Sequence, residues 1–181
     1  MSIILNALEK TDTSGVWSQS DALPTVYRGK LAYVADAVRG LFVNAFRPGV
    51  HMALEGQFSK GCPGDCDGDS LLTREGPVPN LPLVGEKHFP VQAKIALYPM
   101  GIPDYIDKIA GVWRMAEKAR LNPVSIHYAT RISGVFTRCS TTLRLCAGRW
   151  RRRCLITYCA LPSRSTVPLR SKRELKKLAG Q

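Results

Sequence analysis

The stretch Val91-Gln-Ala-Lys-Ile-Ala-Leu-Tyr98, with Pro99-Met-Gly-Ile-Pro103 after it and then Asp104-Tyr-Ile-Asp-Lys-Ile-Ala-Gly-Val-Trp113, decides the fold. Residues 91–98 carry the β-branched and aromatic bias of a strand. Two prolines and a glycine turn the chain. Ile106, Ile109, Val112, Trp113 and Ala116 then share one side of a helix over Tyr105–Arg120, with Asp104 as its N-cap. Asn122-Pro123 stops that helix, and Val124–Gly134 supplies two more short strands.

Upstream, the same plan is met from a different starting point. Ser2–Lys10 has the apolar face of a helix in Ile3, Ile4, Leu5, Ala7 and Leu8. Val16–Gly29 reads as two strands joined by a turn at Pro24. Leu31–Phe46 is amphipathic at helical spacing, and Arg47-Pro48-Gly49 ends it. Val50–Ser59 alternates, with Val50, Met52 and Leu54 on one face of a strand. A Gly/Asp-rich loop, Gly61–Asp69, and a proline-rich linker, Gly76–Pro90, lead back to Val91. Overlaid, the halves share a β-α-β-β-α-β order, the ferredoxin-like arrangement. The expected fold is α+β, with tandem ferredoxin-like repeats, both incomplete. Residues 1–75 form a first repeat without its opening strand, 76–90 a linker, and 91–134 the first half of a second repeat. Thr25 and Thr130 occupy matching places, each four residues before a strand-end glycine, Gly29 or Gly134.

Residues 135–181 differ in composition. They hold 12 of the 26 Lys and Arg residues but a single acid, Glu174, so almost all of the +12 net charge lies there. Four of the six cysteines, Cys139, Cys146, Cys154 and Cys159, lie there as well. The expectation is a poorly ordered basic tail that attracts nucleic acid only nonspecifically, through Arg149-Trp-Arg-Arg-Arg-Cys154.

Several segments resemble the YkoF-type thiamine/hydroxymethylpyrimidine-binding proteins, in that family's order and spacing. They are Ala7-Leu-Glu-Lys-Thr-Asp-Thr-Ser-Gly-Val-Trp17, Thr25-Val-Tyr-Arg-Gly29, Gln57-Phe-Ser-Lys-Gly-Cys-Pro-Gly-Asp65, Ala96-Leu-Tyr-Pro-Met100, Pro103-Asp-Tyr105 and His127-Tyr-Ala-Thr130. The resemblance covers about residues 2–134. It implies a cytoplasmic homodimer of tandem ferredoxin-like domains, one ligand pocket per repeat, no cofactor and no catalysis. It also implies a role in salvage or transport of thiamine precursors. A member opens with its own Leu-Tyr-Pro strand, so the expectation here is a truncated or late start. The family pattern stops just after Gly134, and a shifted reading frame, turning alanine codons into arginine codons, accounts for the composition of the tail.

The expected ligand contacts are Thr25, Leu97, Tyr98, His127 and Thr130. The Tyr98 ring and the strand main chain suit one face of a flat pyrimidine, and a threonine hydroxyl suits a ring nitrogen or amine. Asp65, Asp67 and Asp69 have the spacing of a calcium loop, but no glutamate stands at its twelfth position, and Cys62 and Cys66 alone do not complete a zinc site. No metal is therefore expected. No paired-carboxylate, Ser-His-Asp or phosphate-loop pattern is present, and no apolar run is long enough to span a bilayer. The competing expectations are a non-functional remnant of the family and a basic nucleic-acid-associated protein.

Overall fold

The computed structural model describes residues 2–22, 24–59, 71–99, 103–149 and 153–160. The first unit contains helix α1 (Ser2–Lys10), strands β1 (Trp17–Ser20) and β2 (Thr25–Arg28), helix α2 (Leu31–Ala45) and strand β3 (Met52–Phe58). A short helix α3 (Leu81–Glu86) leads to the second unit. There follow β4 (Pro90–Tyr98), α4 (Tyr105–Lys118), β5 (Val124–Ile126), β6 (Ala129–Val135), α5 (Phe136–Arg149) and β7 (Arg153–Ala160). Strands β1 and β2 form a two-stranded antiparallel sheet, and the others a five-stranded sheet in the order β3-β7-β4-β6-β5.

The α+β class and the two ferredoxin-like units agree with the sequence. Within the second unit the order β7-β4-β6-β5, all antiparallel, is that of a full β-α-β-β-α-β motif. This corrects the expectation that the unit stops at 134 and that a poorly ordered tail begins at 135. Residues 136–149 are helical, and 153–160 pair with both β3 and β4. The physical reason is apolar content that the basic composition hid. Phe136 and Cys139 are buried on the first turn of α5, and Arg153-Cys-Leu-Ile-Thr-Tyr-Cys-Ala160 has a strand-forming pattern. Residues 150–152 and 161–181 of that tail lie outside the described residues, as does the Gly61–Asp69 loop with its aspartates and cysteines.

Alternation on the sheet builds the core. Val91, Ala93, Ile95 and Leu97 of β4, with Ile132 of β6, face the helices. There they meet Val112 and Ala116 of α4, Phe136 and Cys139 of α5, and Phe42 and Val43 of α2. Both units thus contribute to one core, and Val16, Tyr33 and Ala37 form a second, smaller cluster in the first unit. Phe89 lies between Phe46 and Phe136, with centroid distances of 3.9 and 5.2 Å and nearly parallel rings, and so joins α2 to α5. Gly134 is required by close approach: a Cβ there would sit 2.7 Å from Leu121 Cδ2. The other sheet face carries Glu55, Gln57, Gln92, Lys94, Tyr98, Arg131 and Ser133 on alternate positions.

The stretch expected as a plain linker, 76–90, is fastened to the first unit. The Asn80 side-chain amide donates to Asp36 Oδ2 and to the Asp12 carbonyl, at 2.8 Å each, and its Oδ1 accepts from the Asp12 N–H at 3.0 Å. The Asn80 main-chain N–H also donates to Asp36 Oδ2, at 2.8 Å. Tyr33 donates from its hydroxyl to the Gly76 carbonyl at 2.9 Å. Two boundaries moved and one expected cap bond is not made. Strand β3 begins at Met52 and leaves Val50 exposed; α4 ends at Lys118; and Asp104 makes no side-chain cap bond.

Candidate functional site

Four of the five sequence-chosen residues gather at one end of the second unit's sheet. Strand β4 runs out at Tyr98, and β6 lies beside it with Thr130 opposite Ile95. The paired ladder ends there, and His127 and Tyr128 lie in the turn just before β6. Strand β5 borders β6 on its other side, with Ser125 opposite Thr130. Leu97 and Thr130 form the floor of this end, at 8% and 7% exposure. Tyr98 is 47% exposed, on the opposite face of the sheet. This division follows from the pleat: Leu97 shares the helix-facing side with Ile95, and Tyr98 points to the other side.

Thr25 does not join them. It begins β2 in the separate two-stranded sheet, is exposed, and its hydroxyl shares a 2.9 Å hydrogen bond with that of Ser20. The sequence equivalence of Thr25 and Thr130 is therefore one of position along a hairpin, not of surroundings. His127 and Tyr128 form the two-residue turn between Ile126 and Ala129.

Three residues at this end escaped the sequence reading. Tyr128 is 96% exposed with a left-handed backbone, φ +56°, a conformation that costs a bulky side chain roughly 1–2 kcal/mol. Tyr105 and Ile106 open α4, which starts where β4 has delivered the chain, and they are 49% and 66% exposed. The missed signal was a recurrence of tyrosine at chain reversals, at 98, 105 and 128. The result is a group of exposed aromatic residues at the sheet end, with Leu97 and Thr130 buried on its helix-facing side. Such a surface offers stacking area and a few fixed polar groups, the combination that holds flat heterocycles. Asp104 and Asp107 supply exposed carboxylates at the start of α4.

The other polar concentration is structural. Asp36 is fully buried in α2, its Oδ2 held by Asn80 and its Oδ1 3.7 Å from the Arg39 guanidinium. Cys139, also fully buried, has its thiol pushed up to about 11 by desolvation. Among the described residues no three His, Cys, Asp or Glu side chains are grouped to hold a metal ion, and no helix is long and apolar enough to cross a membrane.

Comparison with known proteins agrees with this architecture. A family model described as the YKOF-related Family matches residues 1–65 and 90–144. The match passes Gly134 and enters α5, so the family pattern continues beyond the point at which the sequence reading ended it. A Bacillus subtilis (strain 168) protein named "Putative HMP/thiamine-binding protein YkoF" is 36% identical over 134 residues, covering 74% of this chain and 67% of that protein. The chain belongs to the YKOF-related family.

Proposed function

We propose that this chain is a non-catalytic binding protein for thiamine or its hydroxymethylpyrimidine half, acting in precursor salvage or transport. The observation that carries the reading is the end of β4, where Tyr98 stands exposed on one face of the sheet, with Leu97 and Thr130 buried on the other and His127 in the adjoining turn. A pyrimidine ring lies flat on the tyrosine, and exposed His127 and the strand-end main chain are the polar groups on offer beside it. The name of the Bacillus relative supports the choice of heterocycle. Thr25 has no comparable surroundings, so the second unit is the principal site. A second copy of the chain is the proposed partner.

Calorimetry on the folded chain tests this. Saturable binding of thiamine or hydroxymethylpyrimidine near about 1 µM, roughly −8 kcal/mol, is the expected result. Absence of heat with both compounds, from a sample that melts cooperatively, rejects it. A sample that shows no cooperative melt supports the remnant reading instead.

The concentration of positive charge after residue 134 favours a second, nucleic-acid reading. Removal of residues 161–181 separates the two. Nucleic-acid attraction from the tail falls with that removal and with rising salt, while ligand binding persists.

A further inference from the structure

We propose that Tyr128 is a ligand-contacting residue, its ring closing over a flat heterocycle held at the end of β4; this rests on the binding reading above. The starting point is the choice of tyrosine at a left-handed turn position. Three described non-glycine residues have positive φ: Arg120, Asn122 and Tyr128. Arg120 closes α4, where the Leu121 N–H returns to the Ala116 carbonyl at 3.0 Å, an ordinary use of left-handed backbone at a helix end. Asn122 is a residue type that tolerates the conformation. Tyr128 has neither reason. It occupies a turn position that glycine or asparagine takes without strain.

Nor does the ring repay the strain by packing, because Tyr128 is 96% exposed. Strained backbone that returns nothing to the fold is a marker of function. Its place supplies the function. Tyr128 lies in the turn just before β6, whose pairing with β4 ends at Thr130 opposite Ile95, toward the end of the sheet where β4 finishes at Tyr98 and α4 begins with Tyr105. Adjacent strands lie about 4.8 Å apart, so a tyrosine side chain at the turn reaches a ring resting beside Tyr98. The ligand class is a planar, electron-poor heterocycle, which aromatic rings engage by stacking or, for a cationic ring, by cation–π attraction.

The equivalent turn of the first unit, Asp21-Ala-Leu-Pro24, has no aromatic residue. The clamp is thus confined to the second unit.

The experiment compares the wild-type full chain with Tyr128→Gly, Tyr128→Phe and Tyr98→Ala, by calorimetry with thiamine and with hydroxymethylpyrimidine and by thermal melting. Tyr128→Gly relieves the backbone and removes the ring. It is expected to melt at the same or a higher temperature and to bind about tenfold more weakly, with Tyr128→Phe recovering most of the loss. A purely structural tyrosine gives the opposite pattern, an altered melt with unchanged affinity. Wild-type affinity in Tyr128→Gly overturns the proposal. If Tyr98→Ala weakens binding and Tyr128→Gly does not, the clamp alone fails. If the folded wild type binds neither compound, the binding reading fails and the clamp with it.

Discussion

Replacing Asn80 by alanine tests whether residues 76–90 are a structural strap. The side chain makes three hydrogen bonds: to Asp36 Oδ2 at 2.8 Å, to the Asp12 carbonyl at 2.8 Å, and from the Asp12 N–H at 3.0 Å. The first is to a carboxylate inside the protein and is worth about 1.5–3 kcal/mol; the other two are worth about 0.5–1.5 kcal/mol each. Water recovers part of the second kind, because Asp12 is exposed. Asp36 keeps the Asn80 main-chain donor in the variant. The expected loss is therefore about 2–4 kcal/mol, measured by urea denaturation followed through tryptophan fluorescence. Gly40 sharpens the test. A Cβ there would lie 2.8 Å from Asn80 Cγ, so Gly40→Ala expels the same side chain. The two substitutions damage one interaction, and the double variant should fall short of additivity by about 1 kcal/mol or more. A loss below about 1 kcal/mol for Asn80→Ala, or full additivity, refutes the strap.

The remaining tests address other parts of the molecule. Phe136→Ala should cost about 3–5 kcal/mol, because the ring is buried and stacks on Phe89; a cost under about 1 kcal/mol would mean that residues beyond 135 are not part of the core. The Cys139 thiol has a folded value of about 11, above its ordinary value of 9.0, so the unfolded chain loses this proton first. Stability that is full below about pH 9 should then fall by up to roughly 2–3 kcal/mol as pH rises through about 11, and the difference from Cys139→Ala isolates it; a flat difference over that range removes the argument. Calorimetric stoichiometry should approach one ligand per chain, since Thr25 lacks the surroundings of Thr130. Two equal sites per chain would contradict this.

The sequence was informative wherever one force dominated. A β-branched and aromatic bias placed β4, and helical spacing placed α2 and most of α4, where apolar burial sets the pattern. The proline-rich strap was misjudged because its attachment is polar and long-range: Asn80 bonds to residues 44 and 68 positions away. The end of the second unit was misjudged because charge masked periodicity. Phe136 and Cys139 fit a helix face, but arginines surround them. At the candidate site, Leu97, Tyr98, Thr130 and His127 were legible from resemblance and strand parity. Tyr105 and Tyr128 were not, since their relevance depends on which end of the sheet each reversal occupies, and topology alone decides that.

The position of β7 also fixes an order of assembly. It lies between β3 and β4 and pairs with both, Met52 with Ala160 and Val91 with Ala160 at one end of the ladder. Strands β4, β6 and β5 can pair without it, but β3 joins the sheet only through β7, near the end of the described chain. Pairings of such high sequence separation slow folding, because loop-closure entropy precedes any reward. Until then both edges that β7 will cover are open to other chains. Rapid synthesis at high concentration should divert this protein into aggregates, and slower synthesis in the cold should raise its soluble yield.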